Sequence, residues 1–288
     1  MKTCWLLYEA KDLAVNRDYA AMMQQYGLRY NLAVEPVTLE ELTLGMTKTG
    51  EPYTLRDGKT ARPDAVLSRM RQDWVSEHLE RMGVPVFNNS KVCRICNDKR
   101  RTHLFLQGLP MAETVFPTGT AAFPGMPRVL KPADGHGGKG VQLIPDAESW
   151  QTALTDLRVQ ENRSVLHQAV VDAPGRDLRV YVLFGRILAG VMRTAKEGII
   201  SNFKLGGSVA LHSLIEAEQT LAQAVIDRFD AAGAPLHMAG VDLLYTGQGP
   251  VISEVEDVVG SRMLYKVSDI DLADLYLAGI AERIQAGR

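Results

Sequence analysis

The residue pattern predicts a mixed α/β chain that opens on a small, mainly parallel sheet and continues through helices and antiparallel hairpins. Three observations carry this. Over roughly the first ninety residues, apolar runs of strand length alternate with helix-period faces, as βαβ units require. Residues 129–141 then read Val-Leu-Lys-Pro-Ala-Asp-Gly-His-Gly-Gly-Lys-Gly-Val: a strand, a glycine loop and a return strand. Further on, two pairs of apolar runs joined by short turn signals mark hairpins at 179–192 and 239–256.

Taken in order, residues 4–8 open the chain as a buried strand. Tyr19, Met22, Met23 and Tyr26 recur at i, i+3, i+4 and i+7, a helical face that Gly27 ends. Residues 32–37 make the second strand. Thr, Gly and charge dominate 43–63, which predicts a hairpin or an irregular excursion. A third strand covers 65–68. Trp74, Val75, His78, Leu79 and Met82 then line a helix closed by Gly83, and 84–87 make a fourth strand. His78, among apolar neighbours, reads as a packed residue rather than a ligand. Residues 90–98 form a short helix whose apolar side holds Val92, Cys93 and Cys96. Asn97 or Asp98 caps the next helix, which runs toward Gly108. After the glycine loop come a helix with Leu154 and Leu157, then a strand over 165–171 ending in a Pro174-Gly175 loop. A hairpin about Gly185-Arg186, a turn at Gly206-Gly207, a helix over 216–232 and the hairpin at 239–256 follow. An amphipathic helix through Leu272, Leu275, Tyr276 and Ile280 finishes the chain. The expected domains are 1–92, 93–174 and 175–288.

With 288 residues, 46% hydrophobic and 23% charged, there is interior enough for two or three modest domains. A formal net charge of −2 gives no reason to expect nucleic acid or an anionic membrane as partner. Charge interrupts the first residues too soon for a signal peptide, and no apolar stretch is long enough to span a bilayer. Cytoplasm is the expected compartment. Cys93 and Cys96 form a CxxC, but a structural zinc site needs a second ligand pair, and the six histidines offer none at suitable spacing. Two helix-packed thiols, neither metal-bound nor disulfide-bonded, are the expectation.

The glycine loop carries chemistry of its own. Gly135, Gly137, Gly138 and Gly140 let the main chain approach an anion, and Lys131 and Lys139 supply point charges for it. It is not a Walker loop, because Gly140 follows Lys139 where Ser or Thr would stand. Read alone, it suits a flexible hairpin tip as well as a polyphosphate.

The last hairpin supplies the second signal. If its turn centres on Gln248, Asp242 lies across from Glu254, and the two-residue period brings Glu256 to the same face. Three such carboxylates repel unless a cation intervenes, and hard oxygens select Mg²⁺, Mn²⁺ or Ca²⁺ over zinc. A solvated acidic edge is the alternative; Leu244 and Ile252, which make the face partly apolar, favour the metal.

Together these segments resemble the ATP-grasp ligases. Lys99 in Asn-Asp-Lys, Lys131 with its glycine loop, Gly175-Arg-Asp177-Leu-Arg179, Arg193 with Ala-Lys-Glu-Gly, Ser201-Asn202 with Gly206-Gly207, Gly-Val-Asp242 and Glu254-Val-Glu256 stand in that family's order. The likeness is strongest to the RimK-like branch, which adds glutamate or other amino acids to peptide or protein carboxylates. It implies an α/β chain with an ATP-grasp fold of two α+β halves behind an N-terminal open α/β pre-ATP-grasp domain, with ATP between the two halves. By likeness, Lys99 and Lys131 hold the α/β phosphates, and the loop with Gly137, Gly138 and Lys139 closes over them. Gln168 and Val170 lie on the strand whose backbone reads the adenine edge, and Asp177 and Asn202 contact the nucleotide. Asp242, Glu254 and Glu256 carry Mg²⁺ or Mn²⁺. Arg179 and Arg193 bind the carboxylate substrate and its phosphorylated form.

The implied activity joins a carboxylate to an amine through an acyl phosphate, releasing ADP and phosphate. The substrates would be amino acids, peptides or a protein tail. A non-catalytic Mg-ATP-binding regulatory protein and an ATP-grasp phosphotransferase are the alternatives. A homo-oligomer is an expectation from likeness alone. Several positions depart from the family's pattern. Glu256 stands where Asn is usual, Val258-Val259-Gly260 replaces Ser-Pro-Gly, Ala169 replaces an acidic residue, and Ile200 stands where close relatives have arginine. A regular hairpin at Gly185-Arg186 would also turn Arg179 and Arg193 to opposite faces, so a bulge is needed, with Gly190 the candidate. Arg69, Arg71 and Arg94, near the cleft entrance, would suit an anionic substrate, but each reads first as a solvated surface charge.

Overall fold

The structure is a computed structural model that describes residues 1–118, 123–157, 164–173, 175–196 and 207–286. Its first part runs β1 (Lys2–Tyr8), α1 (Ala10–Val15), α2 (Arg17–Gly27), β2 (Leu32–Thr38), β3 (Leu42–Met46), β4 (Pro52–Arg56), β5 (Lys59–Thr60), β6 (Ala65–Ser68), α3 (Asp73–Arg81) and β7 (Val86–Phe87). Four strands pair in parallel in the order β2-β1-β6-β7. Successive side chains of β1 feed two cores, which is why the strand is apolar without alternation. Cys4, Leu6 and Tyr8 pack with Met23 of α2, while Trp5 and Leu7 pack with Val75 and Leu79 of α3.

Two details refine the sequence reading. Gly27 is the last residue of α2, as read, but a 3₁₀ turn over Leu28–Tyr30 follows it and leads to Asn31, which takes the left-handed conformation at φ 58°. A Cβ at Gly27 would meet Val34 Cγ2 at 2.6 Å, so the glycine serves close approach to β2. The excursion at 43–63 is a three-stranded antiparallel meander of β3, β4 and β5.

Next come α4 (Ser90–Cys96) and α5 (Lys99–Phe105). Asn89 caps α4 by accepting from the Val92 N–H at 3.0 Å; Asp98 caps α5 through the Arg100 N–H at 2.9 Å. Cys4 and Cys93 are buried, all three cysteines are free, and burial pushes the Cys4 thiol up to about 12. A second, antiparallel sheet has the order β10-β9-β11-β8, from β8 (Thr114–Val115), β9 (Arg128–Pro132), β10 (Gln142–Ile144) and β11 (Val165–Ala169). Helix α6 (Ala147–Thr155) covers one face, with Trp150 packed on Leu130, Ile144 and Val165.

The third sheet is antiparallel, with five strands in the order β14-β13-β12-β15-β16. They are β12 (Arg176–Leu183), β13 (Arg186–Thr194), β14 (Ser208–His212), β15 (Met238–Thr246) and β16 (Gly249–Glu256). Helix α7 (Glu216–Ala231) packs Leu221, Val225, Ile226 and Phe229 on Leu178, Val180, Val182, Val241 and Leu243. Val92 of α4 and Leu106, which follows α5, join that same core. Helices α8 (Arg262–Val267) and α9 (Leu272–Gln285) close the chain. Tyr276, Leu277 and Ile280 of α9 share a core with Leu6, Met23 and Leu67, so the first sheet and the chain's end are packed together. Among the described residues, no helix is long and apolar enough to cross a membrane.

Candidate active site

The face of the third sheet away from α7 carries charge, and two bulges decide which residues it presents. The β12–β13 turn is Phe184-Gly185, both at positive φ (48° and 73°), as a two-residue hairpin with native twist demands. Leu183 pairs with Arg186 and Val182 with Ile187, but Tyr181 pairs with Ala189; Leu188 is the extra residue. That slip sets Arg193 opposite Asp177 and Arg179 opposite Val191, so Asp177, Arg179 and Arg193 share one face. The required bulge therefore exists, at Leu188 and not at Gly190. Gly190 pairs regularly with Val180; a Cβ there would lie 2.8 Å from Leu214 Cδ2 and 3.0 Å from the His212 carbonyl. Its bareness admits β14.

The β15–β16 hairpin gives the expected pairing by a different route. Its turn is Gly247-Gln248, because Thr246 pairs with Gly249, and an extra residue at Ser253 then restores Asp242 opposite Glu254. Glu256 pairs with Gly240 and joins the same face. Before the bulge the parity is reversed. Ile252 accordingly pairs with Leu243 and is buried in the α7 core, so it does not make the carboxylate face apolar.

The carboxylates on this face are neutralised by the chain's own cations. Arg179 donates from Nε and Nη2 to the two oxygens of Asp242 at 2.8 and 2.7 Å, and its Nη1 meets Glu256 at 2.6 Å. Arg193 donates from Nε to Asp177 at 2.8 Å, and its Nη2 reaches both Asp177 and Asp242, the latter at 2.6 Å. Lys99 pairs with Glu254 at 3.1 Å and also bonds the Gly135 carbonyl at the root of the glycine loop. Lys131 comes from β9 to the same cluster. Burial pushes its amine down to about 8, and Lys99 pushes the same way against Glu254, Asp177 and Asp242. Asp242 is 2% exposed. Burial alone would raise its carboxyl, but Arg179 and Arg193 outweigh it and hold the group at about 2. Burial acts on Glu254 likewise, and Lys99 and Lys131 help bring it below the usual carboxylate range.

Among the described residues, no three His, Cys, Asp or Glu side chains are grouped closely enough to hold a metal ion. The donor chemistry nevertheless fits one. Asp242, Glu254 and Glu256 offer hard oxygens on one face, and Mg²⁺ or Mn²⁺ would be taken up there as Lys99 or Arg179 gives way.

Gly137, Gly138 and Gly140 all take positive φ (63°, 76° and 74°), a conformation other residues resist. Lys139 between them is exposed. The loop leaves a recess of about 30 Å³ lined by Arg71, Asn97, Lys99, His136, Glu254 and Asp257, among others. A water occupies roughly 10–15 Å³ on that measure, so the recess admits waters and no nucleotide. On β11, Gln168 is buried and spends its amide on Thr114 Oγ1 at 2.9 Å, beside His103 Nε2 at 3.3 Å. The Ala169 N–H is taken by the Glu113 carbonyl at 2.9 Å, and half-buried Val170 follows the strand. Asn202, with Ile200, lies outside the described residues.

Two residues escaped the sequence reading. Asp257 is buried, both oxygens accept from Asn97 Nδ2 at 3.1 and 3.0 Å, and burial pushes its carboxyl up to about 7. It stands one residue beyond β16 and lines the same recess as Glu254 and Glu256, a placement that only tertiary packing with Asn97 fixes. Arg69, read as a solvated charge, is buried at its guanidinium; Arg71 is half-buried and paired with Asp12 at 3.2 Å. Arg94 is exposed, paired with Asp73 and Glu77.

A sequence profile of the RimK-like ATP-grasp domain matches residues 120–280. The chain is 32% identical over 234 residues to a probable alpha-L-glutamate ligase of Xanthomonas euvesicatoria pv. vesicatoria, covering 78% of this chain and 77% of that one. Its fold is similar to the crystal structure of a D-cycloserine synthetase (TM-score 0.73, 19% identity, 98% and 99% of the two chains covered). It is likewise similar to a RimK domain ATP-grasp protein from Sphaerobacter thermophilus (TM-score 0.70, 21% identity, 98% and 99% covered).

Proposed function

The chain belongs to the RimK-like ATP-grasp family and is a carbon–nitrogen ligase, and on that premise we propose that it joins a carboxylate to an amino acid, L-glutamate foremost, through an acyl phosphate. One observation carries this reading. Four cations (Lys99, Lys131, Arg179, Arg193) and four carboxylates (Asp177, Asp242, Glu254, Glu256) meet on one sheet face beneath the glycine loop. Domains 1–92, 93–174 and 175–288 are proposed with it, the nucleotide lying between the last two.

Lys99 and Lys131 bind the phosphates of ATP and offset charge on the transferred γ-phosphoryl group as the substrate carboxylate attacks it. Asp242, Glu254 and Glu256 would hold Mg²⁺, which would add to the neutralisation of the phosphate oxygens. Arg179 offers its Nη1 to the incoming carboxylate in place of Glu256, and Arg193 orients Asp177 and Asp242 beside it. The loop of Gly137, Gly138 and Lys139 keeps water from the acyl phosphate until the amine displaces phosphate from the acyl carbon. Asn202 and the Gln168–Val170 strand are assigned to the nucleotide on the same reading. Positioning and preorganised charge suffice, so no nucleophilic side chain is required.

Hydroxylamine tests the intermediate. With MgATP and the acid but no amine, a hydroxamate should accumulate with ADP, and Lys131→Ala should abolish both. ADP release that never yields hydroxamate would count against an acyl phosphate. The pairing of Arg179 and Arg193 with internal carboxylates favours one second reading, an ATP-binding protein without turnover. ADP release dependent on both acid and amine separates the two.

A further inference from the structure

Tyr8 and Arg69, at the carboxyl end of the first sheet, carry buried polar atoms that among the described residues have no hydrogen-bond partner beyond the pair itself. Tyr8 ends β1 and Arg69 follows β6; Leu7 pairs with Ser68, and the Arg69 N–H bonds the Leu7 carbonyl at 2.9 Å, so the two residues are neighbours. The Nε and Nη1 of Arg69 and the Tyr8 hydroxyl are buried, and among the described residues they have no hydrogen-bond partner beyond each other. Only Nη2 is engaged, by the carbonyls of Val259 at 3.0 Å and Val258 at 3.4 Å. The Tyr19 ring lies 5.6 Å from the guanidinium. Two carboxylates act on Arg69 through their fields, and both are already committed: Glu256 to Arg179 at 2.6 Å, and Asp257 to Asn97 at 3.1 and 3.0 Å. A buried cation with unfilled donors is costly, and a chain that keeps one has a use for it.

Topology gives a second, independent pointer. From β1 the chain passes to β2 on one side of the sheet and then to β6 on the other, so the strand order reverses between β1 and β6. In open parallel sheets the crevice beyond the carboxyl ends of such strands is where ligands bind. Tyr8 and Arg69 stand at those two ends. The crevice faces loop 258–260, and Val258 of that loop also lines the recess that holds Lys99, Glu254 and Glu256.

We propose that Arg69 and Tyr8 form a seat for a free carboxylate of an amino-acid substrate, separate from the Arg179–Arg193 face where the bond is made. Assigning that carboxylate to a substrate rests on the ligase reading; the unfilled donors do not depend on it. A carboxylate takes N–H donors from the guanidinium and the O–H of Tyr8 together, which no group among the described residues does. The carboxylate belongs either to the α-carbon of the amine substrate or to a side chain, and the two sources are separable.

The test titrates the full-length protein by calorimetry with the common amino acids, and with L-glutamate, L-glutamine and L-isoglutamine in particular. Glutamine keeps only the α-carboxylate and isoglutamine only the side-chain one. In Arg69→Gln and Arg69→Lys, affinity for the seated ligand should fall about 10- to 100-fold, the range for a charge-assisted hydrogen bond. Tyr8→Phe should lose less. The amide lacking the seated carboxylate should bind the wild type weakly and ignore the substitution. Circular dichroism checks folding, and if the Arg69 variants fail to fold, Tyr8→Phe, which removes one hydroxyl, carries the test. A panel in which no amino acid binds more tightly to the wild type than to the folded variants overturns the seat. If that happens while ADP release still depends on acid and amine, only the seat is lost. Arg69-dependent binding without any ADP release retains the seat and removes the ligase reading.

Discussion

Binding of MgATP should draw a proton onto Lys131. In the free protein burial holds this amine at about 8, against 10.5 for an unperturbed lysine, so near pH 8 it is half neutral. A phosphate at the amine favours the charged form and moves its titration back above the working range. The expected uptake is about 0.5 proton per site at pH 8 and about 0.9 at pH 9, with almost none at pH 6.5. Calorimetric titration with preformed MgATP in buffers of different ionisation enthalpy reads this directly. Lys131→Arg, charged throughout, should bind without uptake. The sign also fixes a stability effect. The unfolded chain holds more protons than the folded one between about 8 and 10.5, so ligand-free stability should rise with pH across that window. Proton uptake that persists in Lys131→Arg, or none at pH 8 in the wild type, would refute the assignment of Lys131 to the phosphates.

Three further outcomes follow from the same geometry. Asp242→Asn removes the carboxylate that two buried guanidinium groups share, leaving Arg179 with Glu256 and Arg193 with Asp177, and should cost about 3 kcal/mol in urea unfolding at pH 7. Because the wild-type carboxyl sits at about 2, that difference should hold down to pH 4 and shrink as pH falls toward 2; a difference flat with pH would be inconsistent. Glu256→Asn breaks the 2.6 Å pair with Arg179, but the side chain is 27% exposed, so the expected cost is only about 1 kcal/mol. The same change should weaken Mn²⁺ binding, followed by its paramagnetic resonance signal. Gly190→Ala drives a methyl against Leu214 and the His212 carbonyl and should lower stability by about 1–3 kcal/mol in thermal unfolding.

Strong periodicity made much of the fold legible. The strand at 65–68 and the helical faces of α2 and α3 were readable because each had one or two apolar sides to bury. Helix α8 and strand β14 were not, being short and only half-buried. The site was legible as a set of residues but not as a set of partners. Asp242 opposite Glu254 came out correctly although the turn was placed one residue off, because the bulge at Ser253 compensated. Arg193 faces Asp177 through a bulge at Leu188, which has no glycine or proline to announce it. The repulsion among carboxylates was real, but the sequence could not show that Arg179, Arg193 and Lys99 answer it. Arg69 was misread for the same reason: what buries it lies about 190 residues away, at Val258 and Val259.

The most direct test of the ligase account is ADP release from MgATP across paired acids and amino acids, beside Lys131→Ala, with products weighed by mass spectrometry. The account predicts release only when acid and amine are both present, one amide formed per ADP, and neither in the variant. ADP that forms without dependence on an acid, or a product carrying phosphate in place of the amide, would contradict it.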